Sequence, residues 1–361
     1  MTTTPPPYRR PAPDVAASIG DTPLVALDRL FPPDRFRVHA KLEGLNPGGS
    51  VKDRTARSIV EHALAAGDLV PGISTVVEST SGNLGIALAQ LCKLHGLGLV
   101  CVTDPRATRQ NVAVMRAYGA RVECVERDPA TGEYLPARLA RVRRLLATLP
   151  GAYWPDQYAN ELGARAHRTT MREICQALPA PPDHLFLAAG TTGTLRGCAE
   201  YVRDHALPTR ITAVDAVGSV IFGPAEPWER HHRRTVPGHG AALAPPLLRP
   251  GLADRVVKVT DYECVEGCRA LLARESVLAG GSSGGVVAAL RRTAGLLEPG
   301  ASVAVVLPDR GDRYLDTVYR DSWVQATFGR LPSADGDAAP PRTPAPGPRT
   351  ARAGHPERTA P

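Results

Sequence analysis

Short apolar runs alternate with stretches of helical period along most of the chain. Val38 to Leu42, Thr75 to Glu78, Leu97 to Val102, Arg121 to Val125, Leu185 to Ala188, Thr212 to Asp215 and Val303 to Leu307 read as strands. Runs of that length suit a sheet covered on both faces. Between them the period predicts helices over about Lys52 to Ala66, after Asn83, around Gln110 to Tyr118 and near Ala137 to Ala147. This alternation predicts an α/β fold with parallel sheets, whose ligands bind at the carboxyl ends of strands where loops run into helix N-termini. No repeat of fixed period is evident. Residues 1 to 13 and 331 to 361 are rich in proline, alanine, threonine and arginine without a hydrophobic period. They are expected to be disordered tails, because they bury too little to offset their ordering entropy.

With 361 residues and 43% hydrophobic side chains, the remainder can form one large core or two ordinary ones, and two subdomains are expected. The net charge of +7 suggests attraction for small anions. A nucleic-acid partner is not expected, since the arginines are scattered and no basic stretch is interleaved with aromatics. Seven cysteines form no CxxC pair and sit mostly in apolar runs, which fits free thiols in a cytoplasmic protein. Cys264 and Cys268 lie one helical turn apart without accompanying histidines or carboxylates at ligand spacing, so buried packing is expected and no metal site. No apolar run approaches the roughly 20 residues of a membrane helix.

Four loops at the predicted junctions carry the candidate chemistry. The first, Asn46 to Arg54, is rich in turn residues and delivers Lys52 to the first turn of a helix. There the positive end of the helix dipole disfavours its protonation and favours the neutral amine that can form an imine. The second, Glu78 to Gly85, puts hydroxyls, glycines and Asn83 at a helix start, which suits a carboxylate, with the Asn83 amide free to bond a ring hydroxyl. The third, Gly190 to Thr194, combines close backbone approach with three threonine hydroxyls, as a phosphate cup without lysine requires. The fourth, Gly280 to Gly285, presents Ser282 at a helix start, a neutral hydroxyl that would leave a pyridine nitrogen largely unprotonated and favour β-elimination over transamination. Each loop alone also fits a plain role: a surface lysine after a turn, a helix cap by Ser81 or Asn83, or an ordinary capped turn. Together they match the parts of a phosphate-bearing aldehyde cofactor.

In this order the loops resemble those of the fold-type II pyridoxal-phosphate enzymes of the cysteine synthase and cystathionine β-synthase family, over about Ser18 to Asp321. The resemblance implies two three-layer open sheets. A larger domain of residues 14–42 and 154–330 would hold pyridoxal 5'-phosphate, and a smaller mobile domain of residues 43–153, inserted in it, would bind the substrate carboxylate. It makes Lys52 the Schiff-base lysine, gives the cofactor's 3-hydroxyl to Asn83, its phosphate to Gly190, Thr191, Thr192, Gly193 and Thr194, and its ring nitrogen to Ser282. Thr80, Ser81 and Gly82, helped by Gln157, would bind the substrate carboxylate. Within the family the chain is most similar to the O-phosphoserine-dependent N-(2-amino-2-carboxyethyl)-L-glutamate synthases. The segments that carry this are Glu78 to Ala89, Tyr153 to Leu162 and Asp215 to Gly223. Sulfide-using relatives usually have proline where Ser79 stands and threonine where Leu84 stands. Thr191 departs from the serine of the siderophore-pathway members but keeps the hydroxyl.

That resemblance implies a cycle in which phosphoserine displaces Lys52, the freed amine takes the Cα proton, phosphate leaves Cβ and the α-amine of glutamate adds there. Arg138, with Tyr158 nearby, is the candidate to meet the leaving phosphate. The alternative for Arg138 is a solvated helix face shared with Arg141 and Arg144. His239, in a loop bordering the site, is expected to be a solvated loop residue. The resemblance further implies a homodimer acting ahead of an NAD-dependent dehydrogenase, on the way to 2,3-diaminopropionate for a siderophore or peptide natural product. The alternatives are a cysteine synthase using O-acetylserine or O-phosphoserine with sulfide, and a catalytically silent binding partner.

Overall fold

The computed structural model describes residues 11–332 except 131, 230, 231 and 233. The expected disordered tails, residues 1–13 and 331–361, fall almost wholly outside the described residues. Along the chain, β1 (Leu24–Ala26) and β2 (Arg37–Leu42) precede α1 (Lys52–Ala66). Then come β3 (Thr75–Ser79), α2 (Asn83–Leu94), β4 (Gly98–Thr103), α3 (Arg109–Ala117), β5 (Arg121–Cys124), α4 (Tyr134–Thr148) and β6 (Ala152–Tyr153). Next are α5 (Glu161–Arg165), α6 (Arg168–Ala177), β7 (His184–Ala188), α7 (Gly193–Asp204), β8 (Arg210–Ala216) and β9 (Arg255–Val259). The last elements are α8 (Asp261–Glu275), α9 (Gly281–Thr293), β10 (Ser302–Leu307) and α10 (Asp321–Phe328).

The strands form two sheets, one of six strands in the order β1-β2-β10-β7-β8-β9 and one of four in the order β5-β4-β3-β6. All neighbours are parallel except the β1–β2 pair. The apolar runs explain the layering. In β10 alternate residues serve opposite cores: Val303, Val305 and Leu307 pack with Val286, Val287 and Leu290 of α9, whereas Ala304 and Val306 pack with Met171, Ile174 and Leu195 of α6 and α7. The second sheet repeats the arrangement. Val76, Leu99 and Cys101 face Ala56 and Val60 of α1 and Leu84, Leu88 and Leu91 of α2, while Val77, Val100 and Val102 face Val142 and Leu145 of α4. Each such valine or leucine contributes about 1.5–3 kcal/mol on burial. Helix α1 forms because Ala56, Ile59, Val60 and Ala63 recur on one face, and it stops at Gly67, which adopts a left-handed conformation.

A buried ionic cluster ties β2 to the helices. Arg54 donates to Glu43 and Glu173 at 2.7 Å each, and Lys41 lies 2.6 Å from Glu173. The cysteines are unpaired, and Cys264 and Cys268 are buried in packing, with Cys268 Sγ donating to Gly280 O at 3.1 Å. Among the described residues no group of metal-ligating side chains could hold an ion, and no helix is long and apolar enough to cross a membrane.

Candidate active site

The carboxyl ends of β2, β3 and β7 deliver the first three loops to one region; the fourth, expected at a strand-to-helix junction, instead joins α8 to α9 and is held there by the segment after β10, through Gly280 N donating to Asp309 O. The Lys52 loop is held against the end of β10, where Val51 N donates to Pro308 O at 2.7 Å and Ser50 pairs with Asp309. Lys52 Nζ points at the third loop, 3.4 Å from Thr191 Oγ1. Desolvation lowers its pKa to about 8 against the opposing charge of Asp309, so a useful fraction of neutral amine exists near neutral pH. A cavity of about 590 Å³, open mouth included, is lined by Lys52, Asn83, the stretch from Gly190 to Thr194, Ser282 and Asp309.

The cup between β7 and α7 suits a phosphate. Gly190 is required there, because a Cβ would stand 2.5 Å from Gly238 O. Thr192 has φ 63° and caps α7, and its buried Oγ1 finds no partner among the described residues. An orphaned hydroxyl beside helix N-terminal amides is the donor set a bound phosphate would satisfy. Ser282, buried in the first turn of α9, lines the same cavity. The chain's residues therefore fit the cofactor: Lys52 for the aldehyde, the Gly190–Thr194 cup for phosphate, Ser282 and Asn83 for the ring.

The proposed substrate residues lie on the adjoining edge of the second sheet and do not line that cavity. Thr80 Oγ1 accepts from Gly85 N at 3.2 Å, Ser81 O accepts from Asn111 Nδ2 at 3.3 Å, and Gly82 caps α2. Gln157 is drawn to this loop, donating through Nε2 to Ser79 O and through its backbone N to Glu78, both at 3.4 Å. Glu78 also accepts from Trp154 Nε1 at 3.3 Å; its burial raises its pKa to about 8 despite these donors. Tyr158 is half-buried, and desolvation raises its pKa while the charge of nearby Arg138 lowers it.

The alternative given for Arg138 and the expectation for His239 need correction. Arg138 is not on a solvated face: it is 8% exposed, with Nε 3.5 Å from Asp104 Oδ2 at the end of β4, while Arg141 pairs with Glu123. Tertiary folding of α4 onto the sheet edge buries it. His239 is not solvated either. It is buried, its ring bonded to Val214 O at 3.2 Å and near Cys264 Sγ at 3.6 Å, because the loop after Pro237 turns inward against β8 and α8. Two residues near the site escaped sequence reasoning: Asp309 and Arg313, which contact Asn83. Both stood in a legible segment, but nothing in its pattern pointed to a partner.

A lysine amine with a depressed pKa, a glycine-threonine phosphate cup and a serine at a third helix start, set on paired open sheets, define a pyridoxal-phosphate site. The chain belongs to the family described as pyridoxal-phosphate dependent enzyme, whose model matches residues 15–309. Among solved structures it is similar to O-ureido-L-serine synthase, with 31% identity and a TM-score of 0.77, over 87% of this chain and 99% of that one. It is also similar to the O-acetylserine dependent cystathionine beta-synthase from Helicobacter pylori, with 29% identity and a TM-score of 0.77, over 86% of this chain and all of that one.

Proposed function

We propose that this chain carries out β-replacement, joining O-phospho-L-serine and L-glutamate to give N-(2-amino-2-carboxyethyl)-L-glutamate and phosphate. The observation that carries this reading is Arg138. Its guanidinium is buried beside Tyr158 at the edge that bears the Thr80 to Gly82 loop, and its Nε, 3.5 Å from Asp104 Oδ2, makes no hydrogen bond among the described residues. A dianionic leaving group supplies a hydrogen-bond acceptor for it, whereas an acetyl ester supplies no charge. The similarity to two serine-derivative synthases supports the reaction class.

Bound pyridoxal phosphate acidifies the Cα proton of the amino acid joined to it and so permits loss and replacement of the β-substituent. Lys52 Nζ takes that proton and later returns it, a role matched to a pKa of about 8. Thr80, Ser81, Gly82 and Gln157 hold the substrate carboxylate, and Arg138 with Tyr158 receives the departing phosphate. Ser282 keeps the ring nitrogen beside an uncharged hydroxyl. Residues 43–153 close over residues 14–42 and 154–330 during the cycle and exclude water. The enzyme works as a cytoplasmic homodimer, and its product passes to an NAD-dependent dehydrogenase on the way to 2,3-diaminopropionate for a siderophore or peptide natural product.

The test is to supply the purified holoenzyme with phosphoserine or O-acetylserine, each with glutamate or sulfide, and to weigh the products. The phosphoserine–glutamate adduct is expected to dominate. Efficient cysteine formation with no glutamate adduct would overturn the reading.

A further inference from the structure

The segment 308–314 after β10 touches three loops that reach the cavity from different elements. It holds the Lys52 loop, through Val51 N donating to Pro308 O at 2.7 Å and Arg310 N donating to Gly49 O at 3.3 Å. It also holds the loop before Ser282, through Gly280 N donating to Asp309 O at 3.0 Å, and any Cβ at Gly280 would collide with the Asp309 carboxylate. The third loop is reached by side chains. Asn83 Nδ2 donates to Asp309 Oδ2 at 2.8 Å, and Asn83 Oδ1 accepts from Arg313 Nη1. Arg313 Nη2 donates to Gly48 O as well, and Tyr314 OH donates to Asp309 Oδ2 at 2.6 Å.

A carboxylate accepts and a guanidinium only donates, so these two partners decide which end of the Asn83 amide is nitrogen. The amide oxygen is occupied by Arg313, and one of the two N–H bonds is directed to Asp309. One N–H remains, on a side chain that lines the cavity. A ring hydroxyl can donate or accept, but opposite a group that only donates its oxygen must accept, and that stabilises the ionised oxygen.

The geometry points to Asp309 and Arg313 as positioning residues that hold the Asn83 amide as a hydrogen-bond donor to the cofactor's ring oxygen and so keep that oxygen ionised. This goes beyond the substrates proposed above and rests on the cofactor of the family and on the reading that Asn83 faces its ring oxygen. It stands whether glutamate, sulfide or another nucleophile is the second substrate.

The experiment compares the wild-type holoenzyme with Arg313→Met, Arg313→Lys and Asp309→Ala, in the absence of substrate. It reads the ratio of the long-wavelength absorbance band, from the ionised ring oxygen, to the near-ultraviolet band of the protonated form, and the affinity of each cofactor-free chain for pyridoxal phosphate. Arg313→Met frees the amide to turn, and the band ratio is expected to fall about tenfold, with cofactor affinity weakened by a similar factor, as loss of one charge-assisted hydrogen bond implies. Arg313→Lys, which keeps a cationic donor, should restore most of both. Circular dichroism identifies any variant that fails to fold, and if Arg313→Met is such a variant, Asp309→Ala decides by the same two readouts. An unchanged band ratio and affinity in a folded Arg313→Met or Asp309→Ala chain overturns the proposal, even if turnover falls.

Discussion

Lys52 Nζ lies 3.4 Å from Thr191 Oγ1, so the first residue of α1 meets a loop 139 residues further along the chain. The contact puts the amine at the glycine-threonine loop between β7 and α7, and burial removes it from bulk water. Desolvation is the larger influence on the amine and lowers its pKa from 10.5 to about 8, with Asp309 opposing. Only the neutral amine attacks an aldehyde. In the cofactor-free chain, the rate of recombination with pyridoxal phosphate is expected to rise with pH and level off above a midpoint near 8. A stopped-flow absorbance profile that stays flat across that midpoint would contradict this. Lys52→Ala is expected to fold and to lose turnover altogether; retained turnover would remove the lysine from the mechanism.

Gly190→Ala probes the cup. Its Cβ would stand 2.5 Å from Gly238 O, a backbone atom that cannot swing aside. Overpacking of this kind costs about 1–3 kcal/mol. Because the strain falls on the cup, it is expected to appear as weaker cofactor binding more than as a lower melting temperature. Equilibrium titration of the cofactor-free variant checks this, and wild-type affinity would show that the loop gives way elsewhere.

Arg138→Gln separates the leaving groups. Asp104 keeps its paired contacts to Arg106 at 3.0 Å, so the loop after β4 retains a partner in the variant. The KM for phosphoserine is expected to rise by about tenfold to a hundredfold, while that for O-acetylserine changes much less. Equal losses on both substrates would assign Arg138 to the fold instead.

Glu173 carries a stability prediction. Burial disfavours its charge, but hydrogen bonds and charge from Arg54 and Lys41 hold its pKa down to about 2 from an ordinary 4.5. A depressed carboxylate pKa contributes stability that is fully present above the unfolded value of 4.5 and is lost as pH falls towards about 2. Glu173→Ala is expected to cost about 3–5 kcal/mol at neutral pH, because it strands Lys41 without its carboxylate. The variant should also show a shallower loss of stability in acid. Denaturant unfolding at several pH values reads both, and parallel acid profiles would place the group that takes up the proton elsewhere.

Much of the architecture was legible because burial on both faces of a parallel sheet writes a continuous apolar run. β10, β7 and β4 were read this way to within a residue or two. β1, β6 and β9 escaped; the first two have three and two residues, too few for any period to emerge. The candidate cofactor loops stood out for a related local reason. Glycine, threonine, serine and asparagine at a helix start are chosen by turn geometry and exposed amides, both of which act over a few neighbouring residues.

The chain by itself determined most of the segments that become strands and helices, and which glycine and hydroxyl side chains stand at helix starts. Those outcomes depend on short-range periodicity and on how glycine and hydroxyl residues behave in turns. Tertiary structure alone decided that Arg138 is buried against Asp104, that His239 turns into the core, and that Asp309 and Arg313 grip the Asn83 amide. Such contacts join residues as many as 230 positions apart. Their energy arises only when separate sheets and helices have packed, so no pattern within a local window of sequence encodes them.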